Sequence, residues 1–244
     1  MDLKELESGV DPEKHWYYQS KKIPLVQFLK SKFLLRKKPL TLIDVGSGSG
    51  FFMYELIKDN PEMIEKIWLV DTGYTQQEIL MTKNQLIEKS LSLPSKINDA
   101  VVVMMDVLEH LISDAEMLES IKKKCVGENY FFITVPAFMN LWSGHDIYLG
   151  HYRRYVKNSL NNLLRDSLYR TEKIYYIYGM IFPLVWMSRK LESKNAIPQS
   201  DMKRINSWAN TLLTRICSFE MHFRKLNKFA GVTCVAEGKI DQSN

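Results

Sequence analysis

The sequence predicts an α/β chain built on a doubly wound, mostly parallel sheet. Three observations carry that expectation. Continuous apolar and β-branched runs, such as Ala100-Val101-Val102-Val103-Met104-Met105, suit strands covered on both faces. These runs alternate with helix-period segments, as βαβ units do. The first run, Thr41 to Val45, leads directly into Gly46-Ser47-Gly48-Ser49-Gly50 and then a helix near Phe51 to Lys58. Glycines let the backbone turn sharply there and let a ligand come close. The free N–H groups of a helix start would face that ligand.

The glycine spacing narrows the ligand. No Lys-Ser or Lys-Thr follows, which excludes a phosphate loop of the GxxxxGK[ST] type. Gly46-x-Gly48-x-Gly50 is one residue short of the dinucleotide fingerprint, which argues against a nicotinamide oxidoreductase. Asp44, two residues before the first glycine, suits a cationic ligand better than a pyrophosphate.

Size and composition set further bounds. The 244 residues suffice for one α/β domain with additions. The formal net charge of +5 is mildly basic, and no nucleic-acid signature accompanies it. Cys125, Cys217 and Cys234 are scattered without a CxxC or metal-ligand spacing, so the expected metal set is none. An odd cysteine count and a charged N-terminus point to the cytoplasm. The longest apolar run, Tyr175 to Met187, is broken by Pro183 and is too short to span a bilayer.

Residues 1–39 precede the first strand. Asp11-Pro12 reads as a helix start. Ile23, Val26, Phe28, Leu29 and Phe33 give an amphipathic helix, with His15 and Trp16 placed to face a ligand if this segment is a lid. Ile67 to Val70 is a second strand, ending in Asp71 about twenty residues beyond the glycine turn. An acid there reaches ribose hydroxyls in a βαβ unit, although Asp71-Thr72-Gly73 is also good turn chemistry. Gln76 to Lys83 reads as helical, and a short strand falls near Gln85 to Ile87. No acid suited to an adenine contact follows it, only Ser90 and Ser92. The central strand runs into Asp106-Val107-Leu108-Glu109-His110-Leu111, where Glu109 and His110 are expected to fix the following loop. Ser113-Asp114-Ala115-Glu116 is a capping box opening a helix to about Lys124. The next strand, Tyr130 to Val135, leads into a loop dense in histidine, arginine and aromatic residues up to Tyr155. Ligands in such sheets bind outside the carboxyl ends of the strands, so this loop faces the site. A helix from Lys157 and a strand from Tyr169 to Ile177 follow. About fifty residues then separate that strand from a last one, Val232 to Ala236. They hold Trp186 beside Arg189 and Lys190, a polar linker from Glu192 to Gln199, and a long helix pattern. In that helix Ile205, Trp208, Leu212, Ile216, Phe219, Phe223 and Leu226 recur at three- and four-residue steps, and Lys203, Arg204, Arg215 and Arg224 mark another face. The segment is either a cap packed on the sheet or a roof that also touches a membrane.

Asp44-Val45-Gly46-Ser47-Gly48-Ser49-Gly50 resembles motif I of class I S-adenosylmethionine-dependent methyltransferases. Asp106-Val107-Leu108-Glu109-His110-Leu111 resembles their motif IV. Val135-Pro136-Ala137-Phe138, then Leu141-Trp142-Ser143 with His145-Asp146, then Gly150-His151-Tyr152-Arg153-Arg154-Tyr155 resembles a bacterial branch often linked to glycan or glycolipid assembly. The resemblance implies a Rossmann-like, seven-stranded sheet with its last strand antiparallel. It implies a helical lid at 1–39, a core at 40–177, a helical insertion at 178–230 and a last strand and tail at 231–244. The implied cofactor is S-adenosylmethionine, held by Asp44, Gly46, Ser47, Gly48, Gly50 and Asp71, with Asp106, Val107 and Leu108 beside its methionyl part.

The expected reaction is methyl transfer to a hydroxyl of a sugar, a glycan or a lipid-linked precursor. His145 is the first choice of base, oriented by Asp146 or another carboxylate, and His151 the second. Trp142, Tyr152, Arg153 and Arg154 are the expected substrate contacts, the arginines as a clamp for phosphate or carboxylate. Two alternatives stay open: a non-catalytic scaffold of the same fold, and a methyltransferase acting on a quinone-like small molecule. Peripheral contact with the inner face of a membrane, through the insertion, is the expected partner surface besides the acceptor.

Overall fold

The apolar runs pair into one seven-stranded sheet with helices on both faces. The computed structural model describes residues 9–191, 198–202 and 205–241. In chain order the strands are β1 (Leu40–Val45), β2 (Ile64–Val70), β3 (Ile87–Ser90), β4 (Ile97–Asn98), β5 (Ala100–Met105), β6 (Cys125–Val126), β7 (Asn129–Pro136), β8 (Tyr169–Ile177) and β9 (Thr233–Ile240). The helices are α1 (Trp16–Arg36), α2 (Phe51–Asp59), α3 (Gln76–Leu80), α4 (Asp114–Lys124), α5 (Gly144–Leu149), α6 (Lys157–Asp166), α7 (Phe182–Leu191) and α8 (Ser207–Phe223). The sheet order is β3-β2-β1-β5-β7-β9-β8, with β9 antiparallel to both neighbours. β4 and β6 form a separate short pair. This is the Rossmann-like arrangement the sequence predicts.

Alternation along β5 divides the core in two. Val101 and Val103 join Leu25, Phe28 and Leu29 of α1 on one face. Val102 and Met104 join Leu118 and Ile121 of α4 and Leu160 and Leu164 of α6 on the other. All six residues of β5 are buried, as a strand covered on both sides requires. Strand order reverses between β1 and β5, so a crevice opens at their carboxyl ends.

The N-terminal segment differs from the sequence expectation at its start. Residues around Asp11-Pro12 form a turn, and α1 begins at Trp16. The Asp11 carbonyl accepts from the Lys14 and His15 N–H groups, and its carboxylate from the Glu13 N–H, so the start signal is spent within that turn. α1 is instead tied to the insertion. The Asn210 side chain of α8 accepts from the Trp16 N–H at 2.9 Å and donates to the Lys14 carbonyl at 2.8 Å. β3 also starts later than expected, because an Asn84 turn takes up the N–H groups of Leu86 and Ile87.

The insertion shows the largest difference. The apolar repeat of α8 does not face the sheet. Trp208 is 70% exposed, Phe219 61% and Phe223 55%. The buried face carries Cys217, Glu220 and Met221, followed by Arg224 in the turn beyond. Glu220 accepts the backbone N–H groups of Gly179 and Met180 at 2.6 and 3.0 Å, which fixes the exit from β8. Arg224 lies between Tyr175 Oη, the Met221 carbonyl and Gln27 of α1. A polar anchor therefore chooses the packing face against the hydrophobic repeat. Lys203, Arg204 and the Glu192 to Ile197 part of the linker lie outside the described residues.

Glu220→Ala leaves two backbone donors without acceptors. It is expected to cost about 2–4 kcal/mol of unfolding free energy, read as a lower denaturant midpoint. A shift below roughly 0.5 kcal/mol would contradict the anchoring role.

Candidate active site

The site is built at the carboxyl ends of β1, β2, β5 and β7. After β1 the chain turns through Gly46, Gly48 and Gly50, with φ of 68°, 54° and 76°. A Cβ on Gly46 would meet Val107 Cγ2 at 2.7 Å, and one on Gly50 would meet Leu69 Cδ1 at 2.7 Å. The turn is pinned on β2: Gly46 and Ser47 donate N–H groups to the Val70 carbonyl. Asp71 Oδ2 accepts the Gly48 N–H at 2.8 Å, and Oδ1 accepts the Gly73 N–H at 2.9 Å. Ser47 Oγ lies 2.8 Å from Tyr74 Oη. Asp44 is buried one residue before the end of β1. Asp71 thus shapes the glycine turn, as the turn reading allowed, while each of its oxygens retains a second lone pair for a ligand.

Asp106, at the end of β5, adopts a left-handed backbone with φ of 55°. Its Oδ1 accepts the Thr134 hydroxyl of β7 at 2.9 Å. Its Oδ2 forms an ion pair with Lys21 and accepts the Tyr17 hydroxyl at 3.3 Å. Lys21, only 2% exposed, also donates to Tyr17 Oη at 2.6 Å. Sequence reasoning missed Lys21. The available signal was a cation on the apolar stripe of α1, four residues before Leu25 and seven before Phe28. Val107 and Leu108 are buried behind Asp106.

The loop after β7 is organised by Asp146. Ser143 and Asp146 cap α5 reciprocally. Asp146 is fully buried and takes a two-pronged contact from Arg154, Nε to Oδ1 at 2.7 Å and Nη2 to Oδ2 at 3.0 Å. Its Oδ1 also lies 2.8 Å from His151 Nδ1. Burial raises the Asp146 carboxyl, but the His151 and Arg154 hydrogen bonds outweigh it and hold the group well below the usual carboxylate range. Asp146 is therefore ionised and holds His151 by Nδ1, which leaves Nε2 as the ring nitrogen turned away from the carboxylate. The expected pairing of Asp146 with His145 is not made. His145 Nδ1 instead accepts the Asp201 N–H at 3.1 Å, which leaves the proton on Nε2. Burial lowers the His145 pKa. Asp146 is thus the partner of His151, and the Asp201 N–H the partner of His145.

Glu109 sits in the short turn after Asp106 and is completely buried. Neither of its carboxylate oxygens has a hydrogen-bond partner. Burial pushes its carboxyl up to about 8. Its carbonyl accepts the Tyr152 N–H at 2.8 Å, which ties this turn to the His151 loop.

A cavity of about 390 Å³ joins these groups. Asp106, Glu109, His145, His151 and Arg154 line it with His15, Trp16 and Tyr17 of the N-terminal segment. Tyr178, Ile181, Val185 and Leu213 add apolar walls from the insertion side. Its lining does not include the glycine turn, Asp71, Trp142, Tyr152 or Arg153. Arg153 is turned to Asp114 and the Ile112 carbonyl. Arg154 is committed to Asp146 and the Ala137 carbonyl. The two arginines do not form the expected anion clamp, because each has a protein partner that satisfies its fork.

Comparison with known proteins identifies the fold and stops there. No family model matches the chain, and no curated protein matches it. Solved structures do. A chain of the complex containing the Haloferax volcanii Trm112 methyltransferase activator aligns at TM-score 0.56 and 15% identity, covering 100% of this chain and 96% of that one. A SAM-dependent methyltransferase from Archaeoglobus fulgidus aligns at 0.55 and 19%, covering 97% and 98%. The plantazolicin methyltransferase BpumL, in complex with a monoazolic desmethylPZN analogue and SAH, aligns at 0.53 and 16%, covering 92% and 85%. The fold is that of S-adenosylmethionine-dependent methyltransferases. The carboxyl-end crevice of that fold is where Asp44, Asp71 and Asp106 gather.

Lys21→Ala strands Asp106 without its buried counter-charge. The expected cost is about 3–5 kcal/mol in denaturant unfolding. The Lys21→Ala, Asp106→Ala pair is expected to recover part of it in a double-mutant cycle. Full additivity would contradict a direct pair.

Proposed function

We propose that the chain is an S-adenosylmethionine-dependent O-methyltransferase whose acceptor carries its hydroxyl on an apolar body. The observation that supports this most is an oriented His151–Asp146 pair in a largely apolar cavity beside Asp106, on a methyltransferase fold.

The residues fit the cofactor. Asp44, Asp71 and Asp106 place carboxylates at three successive strand ends, suited to an ammonium, a sulfonium and ribose hydroxyls. Gly46, Ser47, Gly48 and Gly50 leave the crevice without side-chain bulk above the strand, apart from the Ser47 hydroxyl engaged by Tyr74. Val107 and Leu108 back the methionyl end. Bound there, S-adenosylmethionine supplies a methyl group already activated by its sulfonium.

The protein's own part is positioning and proton handling. His151 Nε2 takes the acceptor hydroxyl proton, and Asp146 neutralises the imidazolium that forms. Arg154 holds Asp146 ionised and in register. His145 donates from Nε2 and orients the acceptor oxygen. Trp16 and Tyr17 close the cavity from α1, which serves as the lid.

The walls favour the lipid-linked or quinone-like members of the expected acceptor set over a free sugar. A sugar needs a hydrogen bond for most hydroxyls, whereas Leu149, Ile181, Val185, Ile205 and Leu213 offer none on their side chains in the cavity. The exposed apolar side chains of α7 and α8 support the same choice. Leu184, Met187, Trp208 and Phe219 are all about half exposed or more, and Lys190 Nζ lies 4.2 Å from the Trp186 ring centre. Such a face, with cations at its edge, suits contact with a bilayer surface. No helix among the described residues is long and apolar enough to cross one.

Calorimetric titration with S-adenosylmethionine tests the reading. Binding at micromolar to low millimolar concentration is expected, and Gly48→Val is expected to abolish it and also to lower the melting temperature, because a β-branched residue is strained at the left-handed φ of Gly48. No binding by folded protein would overturn the reading. His151→Ala is expected to lower kcat by about 10²–10⁴-fold with cofactor affinity unchanged, and His145→Ala by less. An unchanged rate for His151→Ala removes it from the base role.

A further inference from the structure

We propose that Glu109, His110 and His151 form a binding site for one divalent transition-metal ion at the edge of the cavity. Sequence spacing predicts no metal set, because the third donor lies some forty residues beyond the other two. The fold brings them together. One ligand atom from each of the three lies within 4.8 Å of the others. The His110 and His151 rings meet edge to face, with centroids 4.6 Å apart.

Three further features point to an ion. The Glu109 carboxylate is completely buried, lines the cavity, and has no hydrogen-bond partner on either oxygen. A completely buried carboxyl favours its neutral form, and a cation bound to it offsets the cost of ionising it there. His151 Nε2 is also without a partner, while Nδ1 is held by Asp146 at 2.8 Å. A carboxylate on the far nitrogen of an imidazole is the usual support of a metal-binding histidine, since it fixes the tautomer and raises basicity. Finally, the Glu109 carbonyl accepts the Tyr152 N–H, so the Glu109-His110 turn and the His151 loop are held at fixed register.

The donor set decides the class of ion. Two imidazole nitrogens and one carboxylate oxygen suit Zn²⁺, Fe²⁺ or Mn²⁺ better than Ca²⁺, which prefers oxygen cages. A tetrahedral Zn²⁺ at about 2.0–2.1 Å needs donors roughly 3.4 Å apart, so the three side chains close inward by rotation on binding. Three protein ligands leave a coordination position facing the cavity. On the methyltransferase reading, an acceptor hydroxyl in that position binds the ion and releases its proton to water, its acidity raised as that of metal-bound water is. The ion and the free imidazole use the same His151 lone pair, so the loaded protein does not need His151 as base.

The test measures metal directly. The chelator-stripped chain is titrated with Zn²⁺ in the calorimeter and with Co²⁺ by visible absorption. One equivalent is expected, with a tetrahedral or five-coordinate Co²⁺ spectrum. Glu109→Gln and His110→Gln are each expected to weaken binding at least tenfold, while His222→Ala on the exposed face of α8 leaves it unchanged. Glu109→Gln replaces a buried carboxyl by a neutral group of the same shape, so its folding is secure. No binding by the parent chain, or binding undiminished in both variants, overturns the site. S-adenosylmethionine affinity of the same stripped samples is measured in parallel. Metal binding without cofactor binding keeps the site and rejects the methyltransferase reading. Cofactor binding without metal binding does the reverse.

Discussion

The ion pair between Lys21 and Asp106 is the constraint around which the site is arranged. A lysine on the buried face of α1 meets the aspartate that ends the central strand, with Tyr17 bonded to both. Burying either charge alone is costly, so the pair favours the packing of α1 against the end of the central strand. The pair also sets the backbone. Asp106 takes a left-handed conformation in which Oδ1 reaches Thr134 and Oδ2 reaches Lys21. The chain then turns into Val107, Leu108 and Glu109, packing Val107 where any side chain on Gly46 would have to go. One electrostatic contact therefore links α1, the glycine turn and the floor of the cavity.

A second buried carboxylate, Asp146, does the same for the loop after β7. It caps its own short helix, holds Arg154, and orients His151. Hydrogen-bond direction, more than proximity, separates the two histidines. A backbone N–H donates to Nδ1 of His145, whereas a carboxylate holds Nδ1 of His151. The same loop carries both residues, and only the partners of their Nδ1 atoms tell them apart.

The sheet was legible because its strands are buried on both faces and so read as unbroken apolar runs. Val101 to Met105 and Tyr130 to Val135 could belong to little else. The positions of the glycine turn and Asp106 were legible because each directly follows an apolar strand run. The packing of α8 was not. Its hydrophobic repeat points outward because Glu220 and Arg224 satisfy buried backbone and side-chain groups on the opposite face, and sequence periodicity carries no record of those partners. The cluster of Glu109, His110 and His151 was hidden for a similar reason. Glu109-His110 invited a loop-stabilising reading, and the donor that gives the pair a different meaning arrives from another loop. Arg153 and Arg154 looked like a clamp in sequence because nothing there shows Asp114 and Asp146 claiming them.

Under the proposed function, the exposed apolar face of α7 and α8 and the apolar walls of the cavity go with an acceptor that carries its hydroxyl on an apolar body. The direct measurement incubates the protein with methyl-labelled S-adenosylmethionine and separate lipid and water-soluble extracts. The account expects label in the lipid fraction, released with stoichiometric S-adenosylhomocysteine and lost in His151→Ala. Label confined to water-soluble products would contradict the acceptor, and no transfer to either fraction by cofactor-binding protein would contradict the enzyme.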